Sequence, residues 1–485
     1  MSGEYTAAAP SRPTIGRPPR RVVLISAAGA VGGFLFGFDT AVINGAVDPI
    51  KENFALGTVG LGVVVAITLF GAATGSLLAG WMADRLGRTR VMGVAALLFM
   101  ASATGCALSS GFWDLAAWRL LTGVAVGYAT VLGPLYISEI APASVRGRLA
   151  SLQQMAIVLG IFAALLSDSL IAAVLGGADA RSFLGLPAWR WMFLAGLVPA
   201  LLYGALSLRL PESPRHLAAR GRREDACRIL ADLHAIPREQ AERDVDRMNA
   251  TVPGEHRPRF RDLLSRRSGL LPVVWVGIGI AALQALVGID VIFYYSNSLW
   301  SSVGFDESAS FGLSVLSSLI NVVATIGAIA LIDRVGRRRL LLAGSAGMAA
   351  SLVLVSVGFS RAVVAGDELT LPGAWGPLTL VGANVFVMCF AVSWGPVVWV
   401  LLGEMFPNAI RGVALALAAS VNWFSGVGLN LSFPTMREIS LPGSYAVYAV
   451  MAVLSWVLVY FGVRETTNRE LEDMTDSLAP RAPRP

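Results

Sequence analysis

Charge is what this sequence has least of. Only 14% of its 485 residues are Asp, Glu, Lys or Arg, while 55% are hydrophobic and the mean hydropathy is +0.65. A soluble domain carries about 25% charged residues. A water-soluble enzyme of this size is therefore excluded, as are disorder, collagen and coiled coil. Lysine is nearly absent, Lys51 being the single example, so the excess of 38 basic over 32 acidic residues is made by arginine. The three cysteines, Cys106, Cys227 and Cys389, are odd in number and far apart, which gives neither a disulfide framework nor a metal cluster. No phosphate-binding glycine loop, zinc-ligand spacing or catalytic triad is present. The three histidines, His216, His234 and His256, all fall in one polar segment that is expected to be solvated. No enzymatic activity and no cofactor or metal is implied.

What the sequence has instead is long apolar runs, near 22–47, 59–83, 91–109, 113–136, 150–175, 189–209, 270–299, 309–332, 339–360, 375–402, 412–433 and 444–463. About 20 apolar residues suffice to cross a bilayer as a helix. The runs are continuous rather than alternating, so a membrane β-barrel is excluded. Each must be helical, because lipid offers the backbone no hydrogen-bond partners. The expected fold is an all-α membrane protein of twelve transmembrane helices. Residues 1–20, with Pro10, Pro13, Pro18 and Pro19, read as a disordered tail without a cleavable signal. Residues 210–269 hold 13 arginines and 10 acids, with an amphipathic stretch around Glu224–Met248. Near-balanced charge argues for a solvated helical linker and against a nucleic-acid partner. The expected divisions are a first six-helix bundle (21–209), the linker, a second bundle (270–463) and a short tail (464–485).

Lys and Arg in the short loops give orientation. One side carries Arg12, Arg17, Arg20, Arg21, Arg85, Arg88, Arg90, Arg146, Arg148, Arg334, Arg337, Arg338, Arg339 and Arg411; the other has Lys51, Arg181, Arg190, Arg361 and Arg437. Both termini and the linker are accordingly expected in the cytoplasm.

The loops also repeat. Asp84-Arg85-Leu86-Gly87-Arg88 follows the second run, and Asp333-Arg334-Val335-Gly336-Arg337 follows the eighth, 249 positions on. Glu139-x-x-Pro142-x-x-x-Arg146-Gly147 follows the fourth, and Glu404-x-x-Pro407-x-x-x-Arg411-Gly412 the tenth, 265 positions on. Each half has an even number of spans, so the halves are parallel pseudo-symmetric repeats of the kind that rock about a shared cleft in transporters. Plain positive-inside topology would account for one set of arginines. Two matched copies with carboxylates at fixed spacing point to a gate at helix ends.

These residues, with Gly33-Phe34-Leu35-Phe36-Gly37-Phe38-Asp39-Thr40, Arg119, Pro211-Glu212-Ser213-Pro214-Arg215, Trp394-Gly395-Pro396-Val397-Val398-Trp399 and Phe406-Pro407-Asn408-Ala409-Ile410-Arg411-Gly412, resemble the sugar porter family of the major facilitator superfamily over about residues 20–475. Within it they resemble the proton-coupled xylose symporters. The resemblance implies alternating-access import of a monosaccharide, hexose or pentose, by a multi-pass protein of a bacterial inner membrane that works as a monomer. It also extends the gate to Glu212, Arg215 and Glu465, although Arg464 stands where the family has proline.

Asp39 in span one and Arg119 in span four are charges inside the membrane, which are costly and functional by default. A static interhelical ion pair is the alternative to a proton site. The resemblance favours the proton site, since passive facilitators usually carry a neutral residue at the Asp39 position. Positions matching family sugar contacts are Gln154, Gln284, Asn321, Trp399, Asn422 and Trp423, with Phe36 and Tyr294 lining the same cavity. Interhelical hydrogen bonding is the plainer reading of the amides, worth about 0.6 kcal/mol each. Three departures stand out: Gln284-Ala285 replaces a glutamine pair, Ile161 replaces a second span-five glutamine, and Gly288-Ile289-Asp290 replaces Gly-Ile-Asn. Asp290 lies 251 positions after Asp39 and is its expected counterpart; the position answering to Arg119 is near Asn384, which is uncharged. Asp290 is expected to serve as a neutral sugar ligand, or, if ionised, to recognise an amino sugar. A passive facilitator, a cyclitol symporter, a sugar sensor and a drug exporter are the competing readings.

Overall fold

In the computed structural model the described residues are 20–142, 146–182, 185–250, 260–265, 269–301, 303–365, 368–407 and 410–465. Almost all are helical. The first span is α1 (Arg20–Ala41), which continues through a 3₁₀ turn (Val42–Ala46) into α2 (Val47–Asn53). Then follow α3 (Thr58–Leu86), α4 (Arg88–Leu108), α5 (Phe112–Ile140) and α6 (Arg146–Leu175). The sixth span is broken at Gly196 into α7 (Ala188–Ala195) and α8 (Leu197–Arg209). After the short α9 (Pro214–Ala219), the expected amphipathic stretch is two helices, α10 (Arg223–His234) and α11 (Arg238–Ala250). The break between α10 and α11 falls at Ala235, held at φ 54° just before Ile236-Pro237, and proline cannot continue the preceding helix.

The seventh span is α12 (Pro272–Leu286) and α13 (Ile289–Ser301); α14 (Glu307–Val335) and α15 (Arg337–Ser360) follow, and the tenth span is α16 (Trp375–Val392) with α17 (Pro396–Met405). Gly288 separates α12 from α13 at φ +91°, where a Cβ would also lie 2.7 Å from the Tyr448 ring, so only glycine fits there. The last helix, α18 (Arg411–Gly462), is continuous for 52 residues except at Ser440, whose extended backbone (φ −166°, ψ 106°) breaks it. Ser440 Oγ accepts from the Gly443 N–H at 3.0 Å, and Pro442 opens the next turn, so a second helix starts there. Eleven described helices are long and apolar enough to cross a membrane, and the break makes the eleventh two crossings. Two short hairpins, β1 (Leu264–Ser265) with β2 (Gly269–Leu270) and β3 (Val363–Ala365) with β4 (Glu368–Thr370), are the described sheet. This is the expected multi-pass helical fold.

Helices before the linker pack on one another, α3 against α5, α1 against α6 and α4 against α5 and α8; those after it do likewise, α15 against α16 and α18, and α12 against α18. Along α3 and α5, Gly71, Gly75, Gly123 and Gly127 each face the other helix's backbone, and any Cβ there would meet a carbonyl oxygen. Small residues let membrane helices approach to that distance, where dispersion contacts replace the missing hydrophobic drive. The two groups meet where α3 runs beside α18 and α6 beside α14. Several polar contacts between them are at the Arg-poor end. Asn44 Nδ2 donates to the Phe293 carbonyl at 2.9 Å and to Ser296 Oγ at 2.8 Å. Ser298 Oγ donates to Asp48 Oδ1 at 2.7 Å and accepts from Arg437 Nη1 at 2.8 Å. Glu307 Oε1 accepts from the Ala178 N–H at 2.9 Å.

Candidate functional site

Two features of the chain bear on function: charged clusters at the Arg-rich helix ends, and a polar seam at mid-depth between the helix groups. In the first cluster, Arg88 begins α4 after Gly87, whose φ of +100° turns the chain sharply out of α3. Its guanidinium meets Glu139 at two points, Nε to Oε2 and Nη2 to Oε1, both 2.9 Å. It also donates to Asp84 Oδ1 at 3.2 Å and to the Ala83 carbonyl at 3.0 Å. Glu212, arriving after the sixth span, accepts from the Arg88 N–H at 2.9 Å and the Thr89 N–H at 3.3 Å. A carboxylate on the free N–H groups of a helix start is the favourable sign for the helix dipole.

The second cluster repeats this arrangement. Gly336 has φ +96°; Arg337 Nη2 reaches Glu404 Oε1 at 3.1 Å; Glu465 accepts from the Arg337 and Arg338 N–H groups at 2.9 and 3.2 Å. Arg411 donates from Nε to the Phe406 carbonyl at 3.2 Å. Arg85 lies over the Trp81 ring at 4.2 Å, while Arg215 and Arg334 are exposed. The side chains of Arg146 and Asp333, both in the expected gate, lie outside the described residues. Each cluster is thus built within one helix group. Among the described residues, the contacts between groups are at the other end and at mid-depth.

His216 departs from its expected place in a solvated linker. It is only 9% exposed, and its Nδ1 accepts from Arg88 Nη1 at 2.8 Å. The reason is local: Ser213 caps α9 by accepting the His216 N–H, which turns the ring into the cluster. Burial holds the imidazole below its ordinary range. Arg88 adds to this, Glu212 opposes it, Arg220 adds again and Glu139 opposes. A histidine whose folded-state value is depressed stabilises the fold above its unfolded value, about 6.5, and that contribution is lost as pH falls. The melting temperature of the purified protein should therefore drop more steeply on going from about pH 7 to about pH 5 than that of His216→Gln, whose amide oxygen can still accept from Arg88. Parallel melting curves for the two would show that His216 carries no such contribution.

At mid-depth, Asp39 on α1 is 7% exposed and Arg119 on α5 is 2% exposed. Arg119 Nη1 donates to the backbone carbonyl of Asp39 at 3.3 Å, its Nε has no partner, and its guanidinium carbon lies 6.0 Å from the Phe193 ring centre. Among the described contacts the two side chains are neighbours without a close ion pair.

The sugar-contact candidates divide into two sets. Gln284, Asn422, Trp423 and Phe36 are brought together. Asn422 Nδ2 donates to Gln284 Oε1 at 2.7 Å and to the Ala281 carbonyl at 2.8 Å, Gln284 Nε2 donates to the Trp394 carbonyl at 3.3 Å, and Phe36 meets Trp423 edge-on at 5.7 Å across the two helix groups. Asp290 and Tyr294 lie at the start of α13. Asn430 Nδ2 approaches Asp290 Oδ2 at 3.5 Å, and Tyr294 is buried with Thr40, Asp290 and Arg119 in its surroundings. The position answering to Arg119 behaves differently from the repeat arithmetic: Asn384 accepts from Ser317 Oγ at 2.9 Å and donates to the Leu380 carbonyl at 2.9 Å, and Asp290 turns to Asn430 instead. Asn321 is buried on α14, Gln154 is half-buried on α6, and Trp399 is 37% exposed on α17. Gln153, which sequence reasoning passed over, is buried between Gly33 and Gly133 with neither amide atom partnered. Among the described residues no group of three or more His, Cys, Asp or Glu is placed to hold a metal.

Comparison with known proteins gives the same outline. A family model described as sugar (and other) transporter matches residues 25–478. The glucose transport protein of Synechocystis sp. is 48% identical over 457 residues, spanning 93% of this chain and 97% of that protein. The D-xylose-proton symporter of Escherichia coli is 32% identical, over 93% of this chain and 94% of the symporter. Among solved structures, the partially occluded inward-open conformation of the Escherichia coli xylose transporter superposes with a TM-score of 0.80 at 30% identity, covering 93% of this chain and 100% of that one.

Proposed function

Since the chain belongs to the sugar porter family of the major facilitator superfamily, and is thus a sugar transporter rather than an enzyme, we propose that it imports a monosaccharide together with a proton by alternating access. The protein acts as a monomer in a bacterial cytoplasmic membrane, with both termini and the 210–269 linker in the cytoplasm. Residues 21–209 and 270–463 move as two six-helix bundles. The observation that carries the coupling is the acid at position 39. It is buried inside span one beside Arg119, and the guanidinium is bonded to its carbonyl rather than to its carboxylate. A carboxylate in that setting can take up a proton and release it to the pull of the adjacent cation as the bundles rock. Orienting the Arg-rich end inward makes this conformation inward-facing, in keeping with its match to the partially occluded inward-open form of the xylose transporter.

The gate residues act by holding helix ends together: Arg88, Glu139, Asp84 and Glu212 in the first bundle, and Arg337, Glu404 and Glu465 in the second, with Arg85, Arg146, Arg215, Asp333, Arg334 and Arg411 supplying further charge. The sugar is held by Gln284, Asn422, Asp290, Gln154 and Asn321 through its hydroxyls, and by Phe36, Trp423, Tyr294 and Trp399 through its C–H faces. Each net hydrogen bond contributes about 0.5–1.5 kcal/mol, so several must act at once to reach even millimolar binding, about −4 kcal/mol. The glucose transport relative, at 48% identity, favours a hexose.

Uptake of a radiolabelled monosaccharide panel into vesicles, with and without an inward proton gradient, tests the reading. Accumulation above the outside concentration, with alkalinisation of the medium, is expected; mere equilibration would mean a passive facilitator. The neutral-ligand role of Asp290 adds its own expectation. Asp290→Asn should retain neutral-sugar uptake within about threefold, because an amide keeps one donor and one acceptor. Selective loss of an amino sugar would instead favour an ionised Asp290.

A further inference from the structure

One acid in the membrane region has no part in this scheme. Asp168, on α6 about two turns from its Arg-poor end, is 0% exposed; among the described residues neither carboxylate oxygen makes a hydrogen bond of good geometry, and the Gly45 backbone N–H is its neighbouring donor. A Cβ built on Gly45 of the 3₁₀ turn would lie 3.1 Å from Asp168 Cβ, 2.8 Å from Met192 Sδ and 3.0 Å from a Phe311 ring carbon. The pocket around the acid is therefore walled by the 3₁₀ turn and α7 on its own side and by α14 of the other bundle. The charged groups on these elements point elsewhere. Asp48 is taken by Ser298, Arg190 by the carbonyls of Ala107 and Ser109, Glu307 by the Ala178 N–H, Arg437 by Ser298, and Arg119 by the Asp39 carbonyl. From Ser151 to Leu175, α6 has no other ionisable residue.

An ionised carboxylate buried with no cation beside it and a single backbone N–H as neighbouring donor is costly enough that the group gives up its charge. The neutral acid keeps a carbonyl that can still accept from the Gly45 N–H and leaves only its hydroxyl unsatisfied. When α14 swings away, the same group meets outside water and can ionise. We propose that Asp168 is a second proton-binding group of the transport cycle: it takes a proton from the outer solution, and only in that neutral form lets the outer side shut. The proton returns to the outside when that side reopens, because Asp168 stays sealed while the inner side is open. It adds nothing to the net proton count and sets the rate of outer closure rather than the driving force. The inference rests on the alternating-access reading and on the orientation given above.

The test needs neither a sugar nor a gradient. In a background with the three native cysteines replaced, Ser314→Cys places a thiol on α14 at a position 1% exposed, and Val59→Cys places a reference thiol at a position 64% exposed at the start of α3. Right-side-out vesicles are labelled with a membrane-impermeant maleimide, and the Ser314→Cys rate is divided by the reference rate at each outer pH. With Asp168 present the ratio should rise at least about threefold between about pH 6 and about pH 9, as ionisation holds the outer side open. With Asp168→Asn it should stay low and flat, and in an Asp39→Asn background the rise should persist. A flat ratio with Asp168 intact overturns the proposal even if the Asn variant does not fold. So does an undiminished rise in Asp168→Asn, or loss of the rise in Asp39→Asn alone. Failure of proton coupling would appear in the accumulation assay and leave this ratio unchanged.

Discussion

Asp39→Asn should abolish concentrative uptake while leaving exchange of sugar across the membrane intact. A membrane potential of 100 mV supplies about 2.3 kcal/mol per proton, enough for roughly fifty-fold accumulation of a sugar carried with one proton. Asparagine matches aspartate in shape and can hold the same backbone position against Arg119, whose bond at 3.3 Å is to the carbonyl and survives the change. What it cannot do is bind and release a proton. The accumulation ratio should therefore fall from tens to about one, whereas counterflow, which moves labelled sugar against unlabelled sugar with no net proton, should continue. Arg119→Met gives a complementary loss, because the cation that draws the proton off the acid is gone. Measuring the steady-state inside-to-outside ratio with and without an uncoupler decides the matter. A ratio in Asp39→Asn that stays high and collapses under uncoupler would place the coupling on another group.

How much of this was legible in the sequence depends on the length scale. Apolar runs fix helices because lipid leaves the backbone no other choice, so the spans, the linker and the doubled loop motifs were all readable. The interruptions were less so. Gly288 and Gly196 look like any other membrane glycines, and the positive φ of Gly288 and the Tyr448 ring packed over it appear only in the structure. Side-chain partnership was the least legible. Asn422 and Gln284 are 138 positions apart and are joined only by the way α18 crosses α12. Offset arithmetic led from Arg119 to Asn384, but the two halves have diverged enough that Asn430, a residue outside the motifs, approaches Asp290. Asp168 and His216 were open to notice: the first is an acid within an apolar run, the second a histidine directly after Pro211-Glu212-Ser213-Pro214-Arg215. Neither belongs to a motif, and their burial follows from the packing of α6 against α14 and from the capping of α9.

The two pseudo-symmetric gate pairs should not be equivalent energetically, and this gives the largest stability effect expected of any gate residue. Glu139 is 4% exposed and held at two points by Arg88, whose side chain is 8% exposed. Glu404 is 30% exposed against an Arg337 side chain at 11%. Removing one partner of a buried pair leaves the other charge uncompensated and costs about 3–5 kcal/mol. A pair whose acid is partly exposed loses less, since solvent screens part of what remains. Glu139→Ala should therefore lower the melting temperature of the detergent-purified protein severely, or prevent its recovery. Glu404→Ala should shift it by less than half as much. Arg88 keeps its bonds to Asp84, the Ala83 carbonyl and His216 in the Glu139 variant, but of these only Asp84 is anionic, and it is 76% exposed. Further replacement of Arg88 by Met in the Glu139→Ala background should restore part of the loss, because an apolar side chain of similar length removes the stranded cation. Equal shifts for the two glutamates, or no recovery in the double variant, would mean that solvent reaches both clusters alike and that the pairs are held by helix-end hydrogen bonds rather than by buried charge.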